Sequence, residues 1–419
     1  MISIMDKKKK LVLADRMYIF TLFTFLAGIY FFSEQIKIVT VIATMIMLFD
    51  FVVLYQKISF SNISIMCLWV LYIVWGCISL VFSNSVDGNN VLEFYVGIII
   101  PLLMTSMYLH ENLREHVIKM LTTFCFFVFG GCVLQTAFPD VLKAFNAYRM
   151  GSLKYSWFLE FLNHGYTVGF SFQTGVTAFY LAILVLIATN KLFSQYLNLK
   201  EKCFWMIVDF ISAIYMFNTG KRVFIALAFL IIIFLSCLYY RNHILKILLG
   251  AMVLVSFLYV MVFYTPVGTV LINRMNSIDP TRGRATIYSS MISGIQENLF
   301  FGNGVTSTLN NLSHFQNAHN IYLQILYETG IMGLLILLVV FLIPLACSIR
   351  ILNKQIKEKK DSTCISICCA IQLLFLGWGV TGNPLYDNYP LIVYMIVVGV
   401  VMSKIKEEKF ETNPSQAVT

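Results

Sequence analysis

The sequence predicts an all-α integral membrane protein with about 12 transmembrane helices and one large loop on the outer side of the membrane. Hydrophobic residues make up 59% of the 419 residues and charged residues only 12%, and the mean hydropathy is +0.79. A soluble domain has a much smaller hydrophobic fraction and a much larger charged fraction. Apolar runs long enough to cross a bilayer recur along the whole chain. They are continuous rather than alternating, which excludes a transmembrane barrel and favours helices, whose backbone groups are satisfied within each segment.

Short polar or charged segments separate the predicted spans. The run from Lys7 to Lys10 precedes the first span, but no small-residue cleavage site follows it. We therefore expect a retained first helix rather than a signal peptide. Because no internal repeat or soluble stretch is evident, we interpret residues 1–419 as a single polytopic membrane domain. The predicted spans cover residues 17–33, 36–55, 63–82, 91–109, 117–138, 168–189, 203–220, 223–240, 244–265, 321–347, 363–382 and 390–403.

The net charge of +9 indicates membrane orientation rather than a nucleic-acid partner. Most of the 30 Lys and Arg residues fall in the loops that this topology assigns to the cytoplasm, as the positive-inside rule predicts. The ten Cys residues lie in predicted spans or at their edges, so we expect no disulfide framework. The large outer loop covers residues 267–320.

Cations on the outer side run against the positive-inside bias, which makes them candidates for function. Lys221 and Arg222 form a tight outer turn between two spans. Arg282 and Arg284 lie at the start of an amphipathic-looking segment of the large outer loop, Ala285 to Asn298. One alternative is that these side chains only mark the lipid headgroup region. The functional alternative is that a guanidinium binds phosphate oxygens through two parallel hydrogen bonds, which Lys does less well.

His319 lies where the large loop meets the tenth predicted span. Asn320 after it is a good helix N-cap, and a helix beginning there would direct N–H groups and a positive dipole end at the outer side, a ready anion site. An ordinary loop histidine is the alternative. Glu328 follows nine residues later and would face the opposite side of the helix. We therefore expect it to pair inside the bundle rather than to form an acid–base pair with His319.

Several patterns that would signal other chemistry are absent from the sequence. No outer loop contains an Asp-x-Asp or Glu-x-x-His pattern, and the outer carboxylates are scattered singly, so we expect neither a metal ion nor a cofactor. No P-loop or Rossmann glycine pattern appears either. Synthesis outside the cytoplasm would then need a pre-activated substrate, and a sugar linked to a lipid diphosphate is the obvious one.

Two neighbouring stretches carry a resemblance to a known family. The pattern His319-Asn-x-Tyr-Leu-x-x-Leu-x-Glu-x-Gly-x-x-Gly333, preceded by Asn298-Leu-Phe-x-Gly-x-Gly304, resembles the core domain of the bacterial O-antigen ligase and polymerase superfamily. The turn ending at Arg222 is similar to that family's Thr-x-x-Arg turn, and Arg284 is similar to the arginine opening its large periplasmic loop. A weaker similarity surrounds Arg149. We place the core at residues 203–347.

The resemblance implies a metal-independent glycosyltransferase that uses no cofactor. It would act on undecaprenyl-diphosphate-linked oligosaccharides at the periplasmic face of the bacterial inner membrane. Arg222 and Arg284 would bind the diphosphate, and His319 would accept the proton of the acceptor hydroxyl. Membrane lipid is an expected partner, a chain-length regulator protein is a further candidate, and nucleic acid is not expected. The supporting candidates are Lys221, Arg149, Asn320 and Glu328.

The two branches of this superfamily differ in acceptor. A polymerase adds the chain to another lipid-linked repeat, whereas a ligase transfers it to lipid A-core. Tyr322 and Leu323 together with Glu328 are more typical of polymerases, so we favour a polymerase and keep the ligase as the alternative. A transporter, such as a flippase for the same lipid-linked oligosaccharide, is the alternative of another class because Asp50 and Asp209 lie inside predicted spans. Transporters usually have paired halves with interrupted helices, whereas here the polar residues concentrate in one outer loop.

Overall fold

The computed structural model confirms an all-α membrane protein. It describes residues 2–31, 60–61, 63–83, 87–194, 197–240, 244–264, 284–308 and 318–412, with the single positions 42, 268 and 272. Within these residues the only β pairing is an isolated bridge between Phe60 and Met107. The helices are α1 (Ile2–Phe31), α2 (Ile63–Val81), α3 (Gly88–Thr105), α4 (Glu111–Ala137), α5 (Pro139–Arg149), α6 (Ser152–Asn163), α7 (Thr174–Phe193), α8 (Leu199–Asn218), α9 (Arg222–Tyr239), α10 (Ile244–Tyr264), α11 (Arg284–Glu297), α12 (Ile321–Lys357), α13 (Thr363–Gly379) and α14 (Asn388–Thr412).

In the described part of the chain, eight helices are long and apolar enough to cross a bilayer: α1, α2, α3, α4, α7, α9, α12 and α14. Three further predicted spans correspond to α8, α10 and α13, and α13 is shorter, with 17 residues. The second predicted span, 36–55, lies outside the described residues, apart from position 42. The total of 12 spans and their orientation therefore stay predictions.

The chain divides into two compact units. The first unit comprises residues 1–60, 107–271 and 351–371, and the second comprises 61–106, 272–350 and 372–419. In the first unit α7 is the central helix, because it packs against α4, α8 and α9 and most of its residues are buried. In the second unit α14 packs against α3 and is similarly buried. Both helices are thus held by protein contacts over most of their length.

The segment between the fifth and sixth predicted spans forms two short helices, α5 and α6, rather than an open loop. Pro139 begins α5, where a backbone N–H would have no intrahelical acceptor, so the N–H that proline lacks costs the helix no hydrogen bond. Asp140 in the first turn and Arg149 in the last turn match the helix dipole. Phe158 of α6 is fully buried in a small apolar cluster with Leu142 of α5. The segment therefore has an apolar core of its own.

The orientation of the chain can be tested by labelling two exposed positions in a cysteine-free background. We expect Ser289→Cys, on an exposed face of α11, to react with a membrane-impermeant maleimide in intact spheroplasts. Glu358→Cys, just after α12 and also exposed, should react only after the membrane is permeabilised. The positive-inside bias is the physical reason for this difference. The reverse pattern would overturn the topology and every function that depends on it.

Candidate functional site

His319 lies immediately outside the N-terminus of α12 in an uncommon backbone conformation. Its side chain is exposed and its φ is 55°, in the left-handed region that His tolerates better than most residues. Asn320 next to it is the N-cap, because its Oδ1 accepts hydrogen bonds from the N–H groups of Tyr322 at 3.0 Å and Leu323 at 3.1 Å. The predicted cap is thus confirmed, and it fixes His319 beside the positive end of a long helix.

Arg284 is the first residue of α11 and is half-buried. One face of this helix is apolar: Ile287, Met291 and Ile295 are buried in a cluster that includes Ala318 and Tyr327. Their spacing of four residues confirms the amphipathic helix expected there. Because Ala318 directly precedes His319, the same cluster anchors α11 and the His319 segment to one another. Arg282 lies outside the described residues.

Arg222 is exposed at the first position of α9, directly after a tight turn. Thr219 builds this turn: its fully buried hydroxyl donates to the carbonyl of Met216 at 2.7 Å and accepts the N–H of Lys221 at 3.3 Å. Gly220 supplies the positive φ of 69° that the turn needs. Lys221 is half-buried. The Thr-x-x-Arg pattern is therefore a turn that places its arginine at a helix start.

Two of the three residues predicted to do the chemistry lie at helix N-termini: Arg222 begins α9, and His319 directly precedes the N-cap of α12, whereas Arg284 is the first described residue of α11. A cation there is unfavourable, since the first turn carries a partial positive charge and unpaired N–H groups. An anion bound between the guanidinium and the helix N-terminus would be attracted to both groups, so that the unfavourable interaction would be replaced by two favourable ones. A role for Arg222 and Arg284 towards a phosphate-bearing ligand stays a prediction.

Arg149 is engaged by backbone carbonyls within the first unit. Its Nη1 donates to Tyr30 O at 3.4 Å and Phe31 O at 2.9 Å, at the C-terminal end of α1, and its guanidinium lies 4.9 Å from the Phe31 ring centre. Its Nη2 donates to Asn146 Oδ1 at 2.7 Å and to Phe170 O. These contacts fasten α1 to the segment around α5. A role for Arg149 towards substrate stays a prediction.

Helix α12 is interrupted at Gly330, where the sequence predicts an unbroken span. Gly330 has φ 67° and ψ −173°, so the helical hydrogen bonds around it are lost. The segment after α11 replaces them: Asn303 N donates to Tyr327 O at 2.9 Å, and Gly304 N donates to Glu328 O at 2.8 Å. The break is thus fully embedded in protein contacts, the condition under which irregular backbone is tolerated at membrane depth.

Side chains of α2 also donate hydrogen bonds to backbone carbonyls at the break in α12. Ser79 Oγ donates to Glu328 O at 2.7 Å, and Trp75 Nε1 donates to Thr329 O at 2.8 Å. A Cβ atom at Gly302 would collide with Glu328 O, and one at Gly330 would collide with Phe300 O. The two halves of the motif noted in the sequence, 298–304 and 328–333, therefore form one packed structural unit.

Replacing Gly330 by Ala should destabilise the protein. A φ of 67° with a ψ of −173° is a conformation that essentially only Gly adopts, and it costs a residue with a Cβ about 1–3 kcal/mol. The collision with Phe300 O adds to this cost. We expect a lower unfolding temperature in detergent, measured by fluorescence-detected size-exclusion chromatography after heating. Gly130→Ala is the matched control, because a Cβ there meets nothing within 4 Å and Ala is the better helix former. Equal unfolding temperatures for both variants would contradict this account.

The carboxylate of Glu328 is fully buried and accepts four hydrogen bonds. Oε1 accepts from Thr308 Oγ1 at 2.7 Å and from Gln324 Nε2 at 2.9 Å, while Oε2 accepts from Thr306 N at 2.9 Å and from Tyr386 OH. Burial and the neighbouring carboxylate raise the pKa of Tyr386 well above its usual range, so the phenol keeps its proton and donates. Glu328 thus pairs inside the protein, as the sequence indicates, but with neutral donors.

Sequence reasoning missed the partners of Glu328. Thr308, Gln324 and Tyr386 carry no motif that distinguishes them from other polar residues near a membrane surface. Tyr386 and Thr308 are also 58 and 20 positions away from Glu328 in the sequence. The one available signal was the Glu itself, because a carboxylate within an apolar span requires hydrogen-bonding partners.

Comparison with known families identifies the domain that carries these residues. No curated protein matches the chain. Residues 207–338 match the model of a family described as O-antigen ligase. The matched segment contains Arg222, Arg284, His319 and the break at Gly330, and members of this family are glycosyltransferase-like enzymes. Residues 207–338 are therefore similar to this family's domain, in agreement with the resemblance to the O-antigen ligase and polymerase superfamily that the sequence motifs carry.

Proposed function

We propose that this chain polymerises undecaprenyl-diphosphate-linked oligosaccharide repeats into O-antigen or a related surface polysaccharide, at the periplasmic face of the bacterial inner membrane. The observation that carries the proposal is the position of His319. It is exposed, held in a left-handed backbone and set against a capped helix N-terminus inside the matched domain. Strained backbone of this kind is typical of functional sites.

The chemistry needs one base and a stabilised leaving group. The acceptor hydroxyl oxygen attacks the anomeric carbon of the donor sugar, and His319 takes the hydroxyl proton. The bond from that carbon to the diphosphate oxygen breaks, and the diphosphate leaves with the electron pair. Arg222 and Arg284 bind the diphosphate and stabilise the charge that develops on it. In this scheme no step requires a metal ion.

A ligase is the second candidate, and the description of the matched family as O-antigen ligase favours it. The chemistry at donor and base would be the same, and only the acceptor would differ. The polymerase is supported by Tyr322, Leu323 and Glu328 in the motif. Tyr322 donates to the Leu376 carbonyl at 2.8 Å and Glu328 is fully buried, so within the second unit both help to shape the start of α12.

Deleting the gene and separating the host's lipopolysaccharide on a gel distinguishes the candidates. Loss of a polymerase should collapse the ladder to core plus one repeat. Loss of a ligase should leave bare core, with long polymer retained on the lipid carrier. Loss of a transporter would also leave bare core, but with single repeats accumulating on the carrier. A plasmid copy of the intact gene should restore the ladder in each case, which controls for effects on neighbouring genes.

A further inference from the structure

We propose that Gln324, Glu328 and Asn383 form a hydrogen-bond relay that sets the position of His319, which makes them positioning residues for the transfer. The inference rests on the proposed role of His319 as the base. All the groups involved lie in the second unit, and the relay joins the start of α12 to the outer turn between α13 and α14.

The relay ends on the residue directly before His319. Ala318 is fully buried and its N–H donates to Gln324 Oε1 at 3.1 Å. The same oxygen accepts Asn383 Nδ2 at 2.6 Å. On its other side, Gln324 Nε2 donates to Glu328 Oε1 at 2.9 Å and to Thr308 Oγ1 at 3.1 Å. A single buried amide thus connects the backbone before His319 to the buried carboxylate.

The chemistry of the partners fixes the direction of every bond in this relay. The Ala318 N–H can only donate, so the oxygen end of the Gln324 amide must face it. The nitrogen end must then face Glu328, which offers an oxygen there. On the far side, Thr306 N–H can only donate, so the other oxygen of Glu328 must also accept. The carboxylate therefore determines which way the Gln324 amide points.

Because each of these hydrogen bonds has a fixed direction, a substitution of Glu328 that keeps the size of the side chain should still displace His319. In Glu328→Gln the amide oxygen must remain opposite Thr306 N–H, so the new NH₂ group faces the Gln324 NH₂ group. If Gln324 turns over to avoid two opposed donors, it presents its NH₂ to the Ala318 N–H instead. Either arrangement leaves a buried donor unpaired and releases the segment that holds His319.

The hydrogen bonds on either side of His319 are important because they hold it in a left-handed backbone conformation. A residue with φ of 55° returns to the ordinary region unless its surroundings hold it. Asn320 restrains it on the C-terminal side as the N-cap, and the Ala318–Gln324 bond restrains it on the N-terminal side. A displacement of about 1 Å at a reacting group can lower the rate by about 10²-fold.

An exchange of the two side chains tests the relay. Glu328→Gln and Gln324→Glu should each lower kcat by about 10²-fold while changing KM for the lipid-linked donor little. The double variant should recover most of the lost turnover, because Glu at 324 again offers oxygens to Ala318 and Asn383, and Gln at 328 donates to it. The assay uses the purified full chain and lipid-linked repeats extracted from the deletion strain.

Folding and mechanism are separated by three further variants in the same assay. Gln372→Glu places a carboxylate at another buried glutamine, which donates to Ser348 Oγ at 2.7 Å; it should lower the unfolding temperature and leave kcat nearly unchanged. Gln324→Met adds no charge and removes only the relay. If the charged variants fail to fold, Gln324→Met tests the relay in their place. The same fall in kcat is then expected. His319→Asn gives the turnover without the base.

A double variant no more active than the singles would overturn the relay. So would single variants, or Gln324→Met, that unfold at lower temperature with unchanged kcat, because the network would then be only structural. Either result, combined with an inactive His319→Asn protein, leaves the proposed base in place. A fully active His319→Asn protein would instead remove the proposed function's base, and with it the premise of the relay.

Discussion

His319→Asn should nearly abolish polymer formation while the protein accumulates to the wild-type level. Asn tolerates the left-handed backbone that position 319 adopts, so the substitution keeps the local fold but removes the basic nitrogen. Loss of a general base typically lowers the rate about 10²–10⁴-fold. The effect is measured as lipopolysaccharide ladder length in a complemented deletion strain, and as turnover of the purified protein. His319→Ala should be equally inactive, with a small additional cost in stability.

His164→Ala is the matched control for His319. His164 is also exposed and predicted to be on the outer side, but its ring lies against its own helix end, with Nδ1 2.7 Å from Glu160 O. Its replacement should leave the ladder intact. His314, which lies outside the described residues, should likewise matter little. If a well-expressed His319→Asn protein still makes long chains, His319 is an ordinary loop histidine and not the base.

The same proposal predicts that activity persists in excess EDTA. The described residues bring no three His, Cys, Asp or Glu side chains together in a group that could hold a metal ion. The charge on the leaving diphosphate would then be stabilised by guanidinium groups alone. An enzyme that loses turnover in EDTA and regains it with Mg²⁺ would identify a metal-dependent transferase.

Local patterns in the sequence predicted the features that depend on neighbouring residues. The N-cap at Asn320 and the amphipathic helix α11 are examples, because capping and helical spacing act within a few residues. The fold class was equally accessible, since the apolar runs themselves determine it. What these features share is that no distant part of the chain is needed to form them.

The break in α12 and the contacts of Arg149 depend on distant residues and could not be predicted. The apolar run continues through Gly330, so hydropathy alone predicts a continuous helix. The donors that stabilise the break include Trp75 and Ser79, about 250 positions earlier in the chain. In the same way, Arg149 binds carbonyls of Tyr30 and Phe31 that no spacing rule connects to it.

Arg284→Lys should lower turnover sharply although it keeps the positive charge. A guanidinium can hold two phosphate oxygens at once, whereas an ammonium acts as a single point charge. Losing one preorganised donor at a developing anion typically costs about 2.7–4 kcal/mol, or about 10²–10³ in rate. Arg222→Lys should behave in the same way, because the proposal gives Arg222 the same role at the first position of α9. Turnover of purified protein with lipid-linked repeats measures both effects.

Two other arginines separate a loss of catalysis from a loss of structure. Arg149→Lys should lower the unfolding temperature, because one ammonium cannot reach the carbonyls and the Asn146 amide that the guanidinium now bridges. Arg282→Lys should be tolerated in both assays, since the resemblance assigns it no counterpart. If Arg284→Lys behaves like Arg282→Lys, Arg284 only marks the membrane interface and does not bind the diphosphate.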